Sequence, residues 1–383
     1  MNIYVIIILF GVLITLGSLL LEPILPLYLV FYKSLTFYPY IHLTILMYFM
    51  SSFLAKIFLI LNIKYLKRLV LLSLLLPISL VILTNVDNAH AILLARFMQG
   101  FITSILIVII WIMIFITPKD LNTKNKCVGL YNASLGLSSA IAALVSYKLL
   151  YVYGLTFLTI ISLIMSMIVV MLTLMLISQL RDIVHVQYTD GAYGEYFKYY
   201  LRRADFVVLS IMFTYVGYGL VRPYLPTFTM MLLDDVNAVL TILVIGGVIY
   251  AFSSIITSYL LTKFYSSWLI PLSLIGISIG GLIYRYSYTP EEFILGVVST
   301  SASSAIFKVA FIAFALRIPP RLNIRLVIVL LALNDLGICF GSYLSYYVIA
   351  MNPRLLFSLY ALLTATTALT ATALLGLRKL NLK

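Results

Sequence analysis

Charge is scarce in this chain. Of 383 residues only 10% are Asp, Glu, Lys or Arg, while 63% are hydrophobic. A soluble domain is nearer a quarter charged and half apolar, so no aqueous core holds this much apolar surface and lipid must be the solvent for most of it. Cysteine is scarcer still. Cys127 and Cys339 stand alone, in no Cys-x-x-Cys or Cys/His cluster, which implies neither a disulfide framework nor a metal site. The three histidines, His42, His90 and His185, are scattered and add nothing to a metal reading. No G-x-x-x-x-G-K-[ST] pattern occurs, so no P-loop drives the protein. The alternating ten-residue segments of a membrane barrel are also missing. The first apolar run has no basic stretch before it and no A-x-A-like site after it, so it reads as a retained span. No cofactor and no catalytic residue set is expected.

What is present is a succession of long apolar runs, the mark of spanning helices. Twelve are expected, at approximately 3–31, 41–61, 67–84, 90–117, 127–150, 154–178, 205–232, 237–262, 266–285, 290–316, 324–350 and 353–376. One polar stretch, 179–204, divides them six and six. The fold class is therefore an all-α polytopic membrane protein: twelve transmembrane helices in two pseudo-symmetric six-helix bundles. The bundles cover 1–178 and 205–383, with the 179–204 linker between them. The linker closes with "GEYFKYYLRR", whose Tyr193, Tyr196, Phe197 and Tyr200 share one helical face. That pattern predicts an amphipathic helix on the inner leaflet.

Lysine and arginine orient the spans. With the N-terminus in the cytoplasm, the inner segments hold seventeen basic residues, among them Lys64, Lys67, Arg68, Lys119, Lys124, Lys126, Arg202, Arg203, Arg321 and Arg325. The outer segments hold only Lys33, Lys148, Arg285 and Arg354. Both termini are thus expected on the cytoplasmic side of the cell membrane. The same bias accounts for most of the +13 net charge. It reads as topology and contact with membrane lipid rather than nucleic-acid binding.

"LEPILPLYLVFY" at 21–32 and "VRPYLPTFTMML" at 221–232 align at a displacement of 200, matching Pro23 with Pro223 and Pro26 with Pro226. Gly136 and Ala140 similarly match Gly337 and Gly341 at 201. This predicts two parallel repeats with a site between them. The matched prolines bend spans 1 and 7 around a shared cavity, where protein or water satisfies the freed carbonyls.

Twelve spans, a central linker, the P-x-x-P-x-Y ending of the first span and "ARFMQGF" at 95–101 together resemble the major facilitator superfamily of transporters. The resemblance carries that family's fourth-span motif onto Arg96, Gln99 and Gly100. It implies that spans 1, 4, 7 and 10 line a cavity, placing Glu22, Arg96, Arg222 and Lys308 on or near it. Two departures stand out. The loop after span 2 lacks the family's aspartate and glycines. Span 5 lacks its Gly-Pro, so Gly129, Gly136, Ser139, Ala140 and Ala143 are expected to permit close helix packing instead.

Ionisable residues inside a bilayer are costly and should face a cavity or one another. Glu22 and Arg222 fall near mid-membrane, as do Asp335 and Lys308; Arg96 is shallower. Substrate or gating roles are expected for Glu22, Arg96, Gln99, Arg222 and Lys308, with a static Glu22–Arg96 pair as the alternative. Asp335 and Glu22 are the proton-coupling candidates. For Asp335 the alternative is a fixed bridge to Lys308, because desolvation favours the neutral acid unless a cation pairs with it. Lys56, near the inner end of span 2, reads as a snorkelling residue without a function.

The expected function is a secondary active transporter, a monomer, moving a small-molecule solute by alternating access with protons as partner. Three basic groups against two acidic ones on the cavity side lean toward an anionic or zwitterionic solute, with neutral compounds open. The alternatives are a membrane enzyme acting on a lipid-linked substrate and a non-transporting receptor or scaffold. The enzyme would have to use Asp234, Asp235, Glu291 and Glu292 in short outer loops, which read better as helix caps.

Overall fold

The computed structural model describes residues 3–19, 37–62, 68–69, 71–85, 88–116, 118, 120–186, 210–221, 225–226, 229, 236–263, 267–316 and 320–381. Every regular element among them is helical. In chain order they are α1 (Ile3–Leu19), α2 (Phe37–Asn62) and a 3-10 turn (Leu71–Leu74) leading into α3 (Leu75–Asn85). Next come α4 (Ala89–Ile116) and one long helical stretch, Leu121–Val186, broken at Gly154 into α5 and α6. A short apolar helix, Ser210–Val221, is α7. The chain continues with α8 (Val236–Lys263), α9 (Leu269–Tyr286), α10 (Pro290–Ala315), α11 (Pro320–Met351) and α12 (Pro353–Asn381). Among the described residues nine segments are long and apolar enough to cross a membrane, and the helices Tyr4–Gly17, Leu71–Asn85 and Ser210–Val221 are apolar but shorter.

Local chemistry sets several boundaries. Asn88 Oδ1 accepts from the His90 amide at 2.9 Å to start α4, and Asp120 Oδ1 accepts from Thr123 N at 2.7 Å to start α5. Asn352 does the same for α12, taking Arg354 N at 2.9 Å. At α10 a full capping box forms: Thr289 Oγ1 accepts from Glu292 N while Glu292 Oε2 accepts from Thr289 N at 3.2 Å, with Pro290 opening the helix. Glu292 is thus a cap, as its sequence suggested; Asp234 and Asp235 lie outside the described residues. Gly154 separates α5 from α6 with φ 75 and ψ 179, a conformation that a side chain disfavours. Helix persists to Val186, so the start of the expected 179–204 linker is helical. The amphipathic segment at 193–203 lies outside the described residues.

Packing uses small residues and self-satisfied hydroxyls. In lipid a buried hydroxyl needs a partner, and the preceding turn supplies one. Thr15 donates to Gly11 O at 2.7 Å, Thr214 to Ser210 O at 2.8 Å and Thr300 to Gly296 O at 2.8 Å. α1 lies on α5 at Gly11, facing Ser134 and Tyr131, and on α6 at Gly17, facing Val169 and Ser166. α4 meets α2 where Gly100 abuts the Tyr48 carbonyl. In the second half, Gly280 of α9 faces Thr300 of α10, Gly281 faces Tyr360 and Ala361 of α12, and Gly219 of α7 faces Ile338 of α11. The halves are joined chiefly by α5 with α8 and α2 with α11.

The repeat register differs from the one the sequence match suggested. Gly136 faces α8, across to the other half, yet its sequence match Gly337 faces Met212, Tyr215 and Val216 of α7, within its own half. Ala140 and Gly341 differ in the same way, against Gly247 and against Val216 and Gly219. For α5 and α11, like faces are related by 203. Ser134 meets α1 as Gly337 meets α7, and Gly136 meets α8 as Cys339 meets α2. A shift of two residues turns a helix by about 200°, so an offset of 201 pairs opposite faces. The glycine match at 201 is therefore a coincidence of small residues. The proline match at 200, which aligns Glu22 with Arg222, falls almost wholly outside the described residues; beside it, Gly17 of α1 faces α6 and Gly217 of α7 faces α12, in keeping with that offset.

Candidate functional site

On α2, Ser52 and Lys56 are four residues apart and so share one face. That face meets α11 at Asp335. Ser52 Oγ donates to Asp335 Oδ2 at 2.6 Å, and Lys56 Nζ donates to the same oxygen in an ion pair. Lys56 Nζ also reaches Ser52 Oγ at 2.9 Å. Lys56 is 3% exposed and Asp335 7%. α4 steadies the cluster, with Ser104 Oγ donating to Ser52 O at 3.0 Å. A buried ion pair thus ties one half of the molecule to the other inside the apolar slab. Removing either partner strands a charge where water cannot solvate it.

The cation on Asp335 is Lys56, not Lys308; this corrects the expected bridge and the reading of Lys56 as a snorkelling residue. Lys308 is half-buried on α10. Lys56 was missed because helical periodicity fixes its face but not the neighbour of that face. The available signal was Ser52 one turn earlier on an otherwise apolar surface.

Farther along the same seam, toward the start of α2, Leu46 O lies 3.8 Å from Cys339 Sγ, and His42 meets the end of α11. His42 Nδ1 is 3.0 Å from Ser342 O and 3.1 Å from Ser345 Oγ, with the Tyr346 ring edge-on at 5.5 Å. No sequence motif marked His42.

Arg96 and Gln99 lie together: Arg96 Nη1 donates to Gln99 Oε1 at 2.7 Å, and the guanidinium lies 4.7 Å from the Tyr48 ring centroid. Both are 1% exposed. Gly100, the third member of that motif, serves the α2–α4 contact. Glu22, Arg222, Pro23, Pro26 and Pro223 lie outside the described residues.

The α5–α8 seam has a different chemistry. A Cβ on Gly136 would stand 2.7 Å from Gly247 O and 2.9 Å from Ala251 N; one on Gly247 would stand 2.6 Å from Gly136 O. Gly129 lies against Ser254 and Ser258, and Tyr250 OH reaches Asn132 Oδ1 at 3.3 Å. The expectation that Gly129, Gly136 and Ala140 permit close packing is met, and the packing joins the two halves. Among the described residues no group of His, Cys, Asp and Glu could hold a metal ion.

No family model and no curated protein matches this sequence. Solved structures do. The human organic anion transporter MFSD10 (TETRAN) superposes with a TM-score of 0.73 at 12% identity, over 96% of this chain and 99% of that one. The fold is that of the major facilitator superfamily. The proton:xylose symporter XylE, a member of that superfamily solved with 6-bromo-6-deoxy-D-glucose, gives a TM-score of 0.70 at 16% identity, over 96% of this chain and 94% of that one. In this major facilitator fold the Lys56–Asp335 pair occupies the contact between the two six-helix bundles.

Proposed function

We propose that the chain is a secondary active transporter of a small organic solute, working by alternating access and coupled to protons. The supporting observation is the buried Lys56–Ser52–Asp335 cluster, which closes one seam between the halves through bonds that protonation can break. While the seam is closed, Asp335 is paired with Lys56 and bonded to Ser52. When the halves part, the carboxylate loses its cation and serine together and can take a proton. The protonated acid cannot remake the ion pair, so the seam stays open until the proton leaves. An ion pair biases the two states only by the difference in its strength between them, and about 1–3 kcal/mol suffices.

With Asp335 occupied by Lys56, the remaining charges that the family resemblance assigns to the cavity are Arg96, Arg222 and Lys308 against Glu22. This balance favours an organic anion. The bundles are 1–178 and 205–383, both termini face the cytoplasm, and the protein works as a monomer in the cell membrane. The test is uptake of 5-carboxyfluorescein, an organic anion, and of radiolabelled xylose into proteoliposomes with and without a pH gradient. The reading expects the anion to accumulate only with the gradient. Asp335→Asn should lose accumulation but keep exchange. Equal movement of both probes into protein-free vesicles, or accumulation by Asp335→Asn at the parental level, would overturn it.

A further inference from the structure

His42 lies on the same seam as Lys56, fourteen residues along α2, or about 21 Å away at 1.5 Å per residue. It belongs to neither the ion pair nor any motif. Its hydrogen bonds fix its tautomer. Ser342 O is a carbonyl and can only accept. Ser345 donates its own hydroxyl hydrogen to that carbonyl at 2.6 Å, which leaves Ser345 Oγ to accept as well. Both partners of Nδ1 are therefore acceptors, at 3.0 and 3.1 Å, and Nδ1 carries the proton. A second proton would go to Nε2 and make the ring a cation. The ring is 5% exposed between two helices, where an added charge is costly. Ser342, Ser345 and Tyr346 of α11 face it, polar but uncharged. Packed along α2, α4 brings Arg96, a cation, held at Tyr48. Among the described residues of α2, α4 and α11 the one carboxylate is Asp335, seven residues along α11 from Ser342 and already paired with Lys56.

We propose that His42 is a proton-binding site of this protein, distinct from Asp335, at the opposite end of the α2–α11 seam. It is neutral while that end is closed and takes a proton when α2 and α11 part there. The basic-residue bias puts this end on the outside, so external acid favours opening toward the outside. The seam then carries one titratable closure at each end. The inference rests on the alternating-access reading, but its test needs no solute.

In a Cys127→Ser background the remaining thiol is Cys339, 3% exposed and set against Leu46 O in this seam. Its alkylation by N-ethylmaleimide in the membrane-embedded full chain, divided at each pH by the rate after unfolding in SDS, reports seam opening. The normalised rate should rise on the order of fivefold from pH 8 to pH 5.5, and His42→Gln should flatten it. A rate independent of pH, or an equal slope in His42→Gln, would overturn the proposal. Nitrogen-15 NMR of a His90→Gln/His185→Gln chain checks it without touching His42. Its imidazole should show the Nδ1–H tautomer at pH 8 and protonate in step with the labelling. An Nε2–H tautomer, or protonation without change in labelling, would contradict it. Transport that continues in proteoliposomes while these tests fail would discard the His42 site and leave the transporter reading in place.

Discussion

The two seams between the halves close by different means. α5 and α8 meet backbone to backbone through Gly129, Gly136 and Gly247. α2 and α11 meet through side chains, with the Lys56–Asp335 pair at one end and His42 on Ser342 O and Ser345 at the other. A glycine contact depends on volume and has no group to titrate. A polar contact tolerates small shifts but switches with a single proton. The first suits a bearing that keeps the halves together, and the second suits a latch.

The largest break in this comparison should come from stranding one charge of the latch. Lys56→Met leaves Asp335 buried without its cation and should destabilise the protein by about 3–5 kcal/mol. The double variant Lys56→Met/Asp335→Leu should recover most of that loss, because no charge is then left in the slab. Unfolding by SDS in mixed micelles measures both. Equal and additive losses from the two single substitutions would mean that the pair carries no coupling.

A smaller loss is expected at the bearing. Gly136→Leu drives a side chain into Gly247 O and Ala251 N and should cost about 1–3 kcal/mol. Unlike the latch variants, it should show the same loss at pH 5.5 and pH 8. A pH-dependent loss would erase the distinction between the seams.

These features were unequally legible in the sequence. The helices were plain from hydropathy, and Glu292 could be read as a helix cap, though not its partner Thr289. Gly129, Gly136 and Ala140 could be read as packing residues because small side chains at helical spacing announce a close neighbour. Which helix that neighbour is could not be read, and the same gap hid Lys56 from Asp335, 279 residues apart. The glycine match between α5 and α11 failed for a related reason. Gly337 and Gly341 both lie on the α7-facing side of α11, whereas Gly136 and Ala140 of α5 face α8, so a match of small residues at 201 aligned opposite faces.

The smallest expected effect lies at the start of the bearing helix. Hydrogen bonds from the Thr123 side chain and amide hold the exposed Asp120 carboxyl below the usual carboxylate range. Its folded-state pKa is thus depressed. The stabilisation is present above the unfolded value of 3.8 and is lost as pH falls through the lower folded value. Amide exchange at Thr123 should quicken only in that acid window, with the glycine contacts unchanged. Asp120→Asn should keep most of the protection at every pH.

The central claim, that the Lys56–Asp335 pair latches the halves together, is tested most directly by a distance across its seam. Spin labels at Leu61→Cys on α2 and Phe340→Cys on α11, both exposed positions, in a Cys127→Ser/Cys339→Ala chain, report that distance by pulsed electron resonance. The account predicts one dominant short distance in the parent at pH 8 and a second, longer population in Asp335→Asn. The Lys56→Met/Asp335→Leu chain should return toward the short one. Superimposable distributions in all three would contradict the latch.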